Sequence, residues 1–450
     1  MKLRDIIDSP CGIRYMIDSL PLSSGFALSH LMDERMLETR EEIMSAYSEI
    51  QRYMPVHQPG NENILSMLRN KLCYLKDISH TILRVAKRDS VDDIELYEIK
   101  HLVLMASDIK KLLDKCRIKE EALDEEKLAK VISVLDPDGM RIDSFYIFDS
   151  YSPELAALRK RISSEKDPDI KEELFEKERK LEQIVRDRVC AEVAPFSKYL
   201  KKVLEALVNA DILIAKGEQI LSEGLCYPEI TEKRFNYVGM FHPYIKSVLA
   251  EENKEFTPID ISFEDEPVLV IGANMGGKTV ILKMLAECQY LCHFAFGIPA
   301  KSAEIALKKN IFFISGDAQN ISSGLSSFAA EMKRIDEVVR LAANGENSII
   351  ALIDEPARST NPIEGTALVE ALVDILRRTE GITLVLTTHY NIGSRHCLRY
   401  KVRGFDNGKM NYRLCIAPDG EIPKEALTVA EALNISPSWI GEAKKLLNYE

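Results

Sequence analysis

Val268-Leu-Val-Ile-Gly-Ala-Asn-Met-Gly-Gly-Lys-Thr279 sets four apolar residues directly before a glycine-rich turn and a lysine. The apolar run reads as a strand buried on both faces, and the residues from about 279 to 296 read as a helix. Gly272 to Thr279 fits the spacing G-x-x-x-x-G-K-S/T. In that setting glycines let backbone N–H groups curl around phosphate oxygens, and the helix N-terminus adds partial positive charge. Gly272, Ala273, Asn274, Met275, Gly276 and Gly277 are therefore the expected cradle for the phosphates of ATP. Lys278 is expected to reach the β- and γ-phosphates, and the Thr279 hydroxyl to hold Mg²⁺. A plain glycine turn is the alternative, and the strand–turn–helix setting argues against it.

Three further apolar runs follow, Ile311–Ile314, Ile349–Ile353 and Ile382–Leu386, with helical stretches at roughly 327–344 and 363–379 between them. Runs that are apolar on both faces suggest buried parallel strands. Alternating β and α predicts an α/β P-loop NTPase domain, a doubly wound, mostly parallel sheet with right-handed crossovers. Tyr400–Phe405 and Met410–Ile416 flank Asp406-Asn407-Gly408, a hairpin turn signal. Asp354 and Glu355 end the strand SIIALIDE. An acidic residue at that strand edge sits beside the phosphate loop, where Mg²⁺ needs a carboxylate oxygen. Asp354 is the expected Mg²⁺ residue, through water, and Glu355 is expected to orient or deprotonate the attacking water. His389 follows the next strand in LVLTTHY, where a polar residue can contact the γ-phosphate. A buried, hydrogen-bonded core histidine is the other reading of it.

The first ~220 residues read as helix almost throughout, an all-α region ahead of the sheet. Leu31–Tyr53, Ile64–Lys87 and Ile94–Cys116 carry apolar residues at three- and four-residue spacing. Residues 154–190 mix both charge signs and read as a solvated helical hairpin, followed by a helix over Lys198–Leu221. The tail from Leu427 to Leu447 reads as one or two short helices.

Composition narrows the class. The chain has 450 residues, 59 Lys+Arg against 71 Asp+Glu, a net charge of −12 and 46% hydrophobic residues. This excludes a collagen, a disordered tail protein and a histone-like polycation, and it argues against a globally basic nucleic-acid binder. No apolar run reaches the ~18 residues of a membrane span, so no membrane role is expected. The most apolar stretch, 281–300, contains Lys283, Glu287, Gln289 and His293 and reads as a buried helix. The N-terminus has no signal-peptide core, and the nine cysteines are scattered without a CxxC, which predicts reduced thiols in the cytoplasm. Cys288, Cys292 and His293 come nearest to a metal cluster. On a helix, however, His293 points about 100° away from Cys292, which favours core packing.

Five ordered motifs resemble the MutS family of ATPases. GANMGGKTV is similar to that family's phosphate loop, and Gly297–Ile305 to its "VPA…A.I" segment. Ser323-Gly-Leu-Ser-Ser-Phe-Ala-Ala-Glu-Met332 resembles "GRSTFMVEM", Asp354–Thr360 resembles "DE.GRGTS", and LVLTTHY resembles "LFATHY". His242-Pro243 and Phe256–Asp260 look like the "HP" and "F.PND" that precede the loop, and Asp149–Leu155 resembles "GYSPELDELR" on the family's lever helices. The resemblance implies a MutS-like helical core over 1–134, and levers with a shortened or absent clamp over 135–222. An ATPase domain over 223–420 and a C-terminal helical dimerisation segment over 421–450 would follow. It further implies that Phe256 stacks on adenine, and that Ser326 and Ser327 open a helix whose end approaches the γ-phosphate held by the other subunit of a homodimer. Arg358 matches the family arginine after the acidic pair, and Leu325 replaces a usual arginine.

The departures bear on the partner. The mismatch-reading and nuclease domains of the family are expected to be absent, so classical mismatch reading is not expected. The interval of roughly 165–185 is short for a DNA-gripping clamp, and its lysines and arginines are at least matched by acids, so it offers no clear excess of positive charge. Two partner classes stay open. One is DNA, without support from a clamp or a basic patch. The other is a metabolic enzyme client, as in compact MutS-like reactivases associated with adenosylcobalamin-dependent aminomutases. An ABC-type ATPase is a weaker third reading, since the sequence has no LSGGQ.

Overall fold

The computed structural model describes the chain except residues 90, 143, 273–275, 317–326, 389, 391, 394–396, 407–408, 419–426, 428–429, 432–434 and 447–450. It divides into two compact units. One holds residues 1–20, 34–47 and 219–450, the other 21–33 and 48–218.

The first unit carries β1 (Glu229–Thr231), β2 (Phe235–Met240), β3 (Ile259–Phe263), β4 (Val268–Ile271), β5 (Ser302–Ala306), β6 (Asn310–Ser315), β7 (Ile349–Asp354), β8 (Ile382–Thr387), β9 (Leu398–Asp406) and β10 (Lys409–Ile416). Six of these form a sheet in the order β10-β9-β4-β8-β7-β6. Its pairs are parallel except the β9–β10 hairpin. Successive side chains of a strand point to opposite faces. Ile349, Ala351 and Ile353 of β7 and Ile382, Leu384 and Leu386 of β8 accordingly share one core with the helices Ser327–Ala343 and Pro362–Arg377. Their alternates Ile350, Leu352 and Val385 are also buried, and the helix Lys278–His293 lies against β6, β7 and β8. Coverage of both faces is why these strands are apolar along their whole length.

A second sheet was not anticipated. It runs β1-β5-β2-β3, with β1–β5 parallel and β2 antiparallel to both β5 and β3. These strands are short and half-buried; β3 alternates buried and more exposed positions, and β1 has three residues. The apolar stretch at 281–300 is buried as expected, but its helix stops at His293. Gly297 follows, where an added Cβ would lie 2.6 Å from Ile220 and 2.7 Å from Leu225. Cys288 and Cys292 are fully buried, and the His293 ring nitrogens lie 2.7 Å and 3.0 Å from the Leu37 and Lys308 carbonyl oxygens.

The second unit is helical. Helix Asp93–Lys115 starts at a capping box, with Asp92 accepting the Glu95 N–H at 2.8 Å and Glu95 accepting the Asp92 N–H at 3.0 Å. The expected hairpin is present as Pro153–Ser164 and Pro168–Val193, each with a proline in its first turn and capped by Ser152 or Asp167. Arg159 ties its two arms together, reaching Glu178 and Glu182 at 2.7 Å each. Two expected helices are broken in the structure. Leu31–Tyr53 becomes Gly25–Asp33 and Arg40–Tyr53, because Thr39 and Glu42 form a capping box that starts a new helix. Ile64–Lys87 becomes Glu62–Leu72 and Ser79–Lys87, with Asp77 accepting the Ser79 N–H at 2.9 Å.

Glu287 is out of keeping with its place. It is fully buried on the helix Lys278–His293, and neither carboxyl oxygen has a hydrogen-bond partner among the described residues. Burial pushes its carboxyl well above the usual range. The folded chain then holds this proton more tightly than the unfolded one. Its contribution to stability therefore falls as pH rises past about 4.3. Glu287→Leu should raise stability by about 1–3 kcal/mol, with a larger gain at pH 8 than at pH 5. Thermal unfolding at the two pH values checks this.

Candidate nucleotide-phosphate site

β4 ends in the turn that begins at Gly272, and the helix Lys278–His293 starts immediately after Gly277. Gly277 has φ +77°, a left-handed conformation that favours glycine, and a Cβ there would meet the Tyr412 ring at 3.4 Å. Gly272 is at φ +153°, with Val402 3.1 Å from where its Cβ would be. Ala273, Asn274 and Met275 lie outside the described residues. The turn brings Lys278 back over its own start. Its Nζ donates to the Gly272 carbonyl at 2.7 Å and lies 3.3 Å from Glu355 Oε1. Lys278 is only 4% exposed. Burial lowers its pKa, and the Glu355 carboxylate opposes that shift.

One position on, the Thr279 hydroxyl donates to Asp354 Oδ2 at 2.7 Å. The other Asp354 oxygen accepts from the Thr387 hydroxyl at 2.7 Å, and Thr387 Oγ1 accepts the Glu355 N–H at 2.9 Å. Sheet order explains this arrangement. β8 separates β4 from β7, and the register Ile353↔Leu386 places Thr387 beside Asp354. Arg358 reaches the second Glu355 oxygen at 3.2 Å. Glu355 and Ala357 both have positive φ, +48° and +59°. Such a backbone is strained for non-glycine residues by about 1–3 kcal/mol each and must be held by its surroundings.

Of the expected site residues, Gly272, Gly277, Lys278, Thr279, Asp354 and Glu355 come together here. Gly276 is buried in the same turn. Phe256 is half-buried ahead of β3 and takes no part in this cluster. Ser326 and His389 lie outside the described residues, as does the Ser327 side chain, although Ser327 opens the helix Ser327–Ala343. Thr387 was passed over in the sequence although it stands in LVLTTHY. Glu331, in the SSFAAEM segment, was passed over as well. It is buried, and burial, with the charge of Asp354 adding to it, raises its pKa.

The donor set suits a magnesium-bound triphosphate. A buried ammonium beside a glycine turn matches phosphate oxygens, while a hydroxyl and a carboxylate converging from two elements match a hard cation. A strand, a glycine turn and a lysine at a helix start, faced by a neighbouring strand's carboxylates, define the nucleotide-handling class of α/β domain. Residues 268–411 match the sequence profile of MutS domain V, a P-loop ATPase domain. The endonuclease MutS2 of Caldanaerobacter subterraneus subsp. tengcongensis is 28% identical over 291 residues, 62% of this chain and 35% of that protein. The endonuclease MutS2 of Caldicellulosiruptor bescii is 30% identical over 60% of this chain and 34% of its own length. The DNA mismatch repair protein MutS of Haloquadratum walsbyi is 30% identical over 47% of this chain and 22% of its own. The chain thus contains a region similar to MutS domain V and to parts of MutS and MutS2 proteins. The matched regions span about a third or less of the length of these curated relatives.

Thr387→Val keeps the shape but removes the donor to Asp354 and the acceptor for the Glu355 N–H. It should cost about 1–3 kcal/mol of stability. A urea titration against the wild-type chain measures this.

Proposed function

We propose that this chain binds ATP with Mg²⁺ at Gly272–Thr279 and hydrolyses it to ADP and phosphate. The observation that carries the reading is the buried Lys278 ammonium, shared between the Gly272 carbonyl and Glu355 beside the Thr279–Asp354 contact. In this arrangement Glu355 occupies the anionic place next to Lys278. A bound triphosphate competes for that lysine and releases Glu355 to orient, or take a proton from, the attacking water. The Thr279 hydroxyl would hold Mg²⁺ and Asp354 would hold it through water, and the cation would supply charge neutralisation at the phosphates. Ala273, Asn274, Met275 and Gly276 complete the phosphate cradle. Phe256 stacks on adenine, and His389 senses the γ-phosphate.

The rest of the proposal concerns coupling. Residues 1–134 act as the core, 135–222 as levers and 421–450 as a segment that helps two ATPase domains pair. Ser326 and Ser327 of one copy then approach the triphosphate of the other. The helices Pro168–Val193 and Ser197–Glu223, 26 and 27 residues long, are suited to carrying the nucleotide state away from the site. The relatives named above are called an endonuclease and a mismatch repair protein, which supports association with DNA. The segment 165–185 favours a protein-directed reading instead, such as a reactivase acting on a cofactor-dependent enzyme. It carries eight Asp/Glu against five Lys/Arg, and a phosphate-gripping tip needs an excess of cations.

Glu355→Gln should retain ATP binding while phosphate release falls by about 10²–10⁴-fold. Turnover at the wild-type rate would remove Glu355 from its role. Filter binding with duplex and branched DNA separates the partner classes. DNA association predicts retention at 50 mM salt that weakens steeply toward 200 mM, whereas a protein-directed ATPase predicts no retention with or without ATP.

A further inference from the structure

Thr387 closes β8 and is fully buried. A threonine hydroxyl offers one proton and two lone pairs. Here the proton goes to Asp354 Oδ1 at 2.7 Å, and a lone pair takes the Glu355 N–H at 2.9 Å. One buried oxygen thus touches two consecutive residues, and each has a need it meets. The Asp354 carboxylate has the Thr279 hydroxyl on its other oxygen at 2.7 Å. Held by a hydroxyl on either side, the carboxylate cannot turn without breaking a bond. Glu355 carries the strain of φ +48°, and the bond to its amide opposes relaxation of that backbone. The parallel register Ile353↔Leu386 sets Thr387 level with Asp354, so the contact is fixed by the sheet itself. Valine would pack this buried strand end equally well. A hydroxyl there is a cost unless its hydrogen bonds are made.

We propose that Thr387 is a positioning residue for both carboxylates of the site. Its donated proton orients Asp354, and the N–H it accepts fixes the backbone from which Glu355 reaches. This inference rests on the reading of Asp354 as the Mg²⁺ residue and Glu355 as the residue that activates water. Thr387 acts through these two residues and not by contact with the substrate. A hydrogen-bond partner behind a metal-holding carboxylate typically governs metal affinity or activity by about 10–100-fold. Because both carboxylates depend on one hydroxyl, its loss affects the cation requirement and the turnover together. Serine keeps the hydroxyl and can replace threonine. Valine keeps the shape and cannot.

Two measurements on the full chain decide it. In steady-state phosphate release at saturating ATP, Thr387→Val should need about 10–100-fold more Mg²⁺ for its half-maximal rate and lose about 10–100-fold in kcat. Thr387→Ser should recover most of both losses. Equal losses in the two variants overturn the proposal. So does a fall in kcat with the Mg²⁺ requirement unchanged, which is what a merely structural role predicts. Amide hydrogen exchange at Glu355 is read in parallel on the nucleotide-free chain. It should quicken in Thr387→Val and stay near the wild-type rate in Thr387→Ser. Unchanged exchange in Thr387→Val overturns the proposal whether or not the chain hydrolyses ATP. Thr387→Ala, read in the same way, takes the place of Thr387→Val if that variant does not fold. Should wild-type phosphate release be absent while exchange behaves as expected, the failure lies in the hydrolysis reading and not in the hold of Thr387 on the turn.

Discussion

A lysine ammonium taken out of water has to find anionic or carbonyl oxygen, and that need organises this domain. Lys278 is almost wholly buried at the start of its helix. Among the oxygens it meets are the Gly272 carbonyl and the Glu355 carboxylate. An isolated ammonium in such a place would give up its proton or unfold its surroundings. The pairing therefore links the turn after β4 to the turn after β7.

That link spans an intervening strand. β8 sits between the strand that leads into the glycine turn and the strand that carries the carboxylates, so something at its C-terminal edge must join them. Thr387 stands at that edge, donating to Asp354 and accepting from the Glu355 N–H, while Thr279 reaches the other Asp354 oxygen from the start of the helix after the glycine turn. From the other side, the Tyr390 hydroxyl donates to the Ala357 carbonyl. Asp354 and Glu355 are adjacent in the chain, yet their environments differ. Asp354 meets two hydroxyls, and Glu355 meets two cations, Lys278 and Arg358. The first suits a carboxylate that stays in place and the second one that exchanges partners.

The central sheet was legible because its strands are apolar on both faces and its turns are spelled by glycine. Val268–Ile271 and Ile349–Asp354 could hardly be read otherwise. The four-stranded sheet was not legible. β1 is three residues long, and β2 carries Gly239 and a register shift between Tyr237 and Met240, so neither presents a sustained alternation. Helix breaks at Thr39 and Asp77 escaped notice because apolar periodicity continues across them. Only the capping side chains mark the stops. In the site, the residues that stand in a motif were readable, namely Gly272, Lys278, Thr279, Asp354 and Glu355. Thr387 was not, since its role depends on which strand lies beside which, and sequence spacing does not encode strand order.

The most direct test is calorimetric titration of MgATP into the full chain and into Lys278→Met, which keeps the side-chain length and removes the charge. The account predicts heat of binding at one site per chain for the wild type and its loss in the variant. No heat with the folded wild-type chain, or undiminished binding by Lys278→Met, would contradict it.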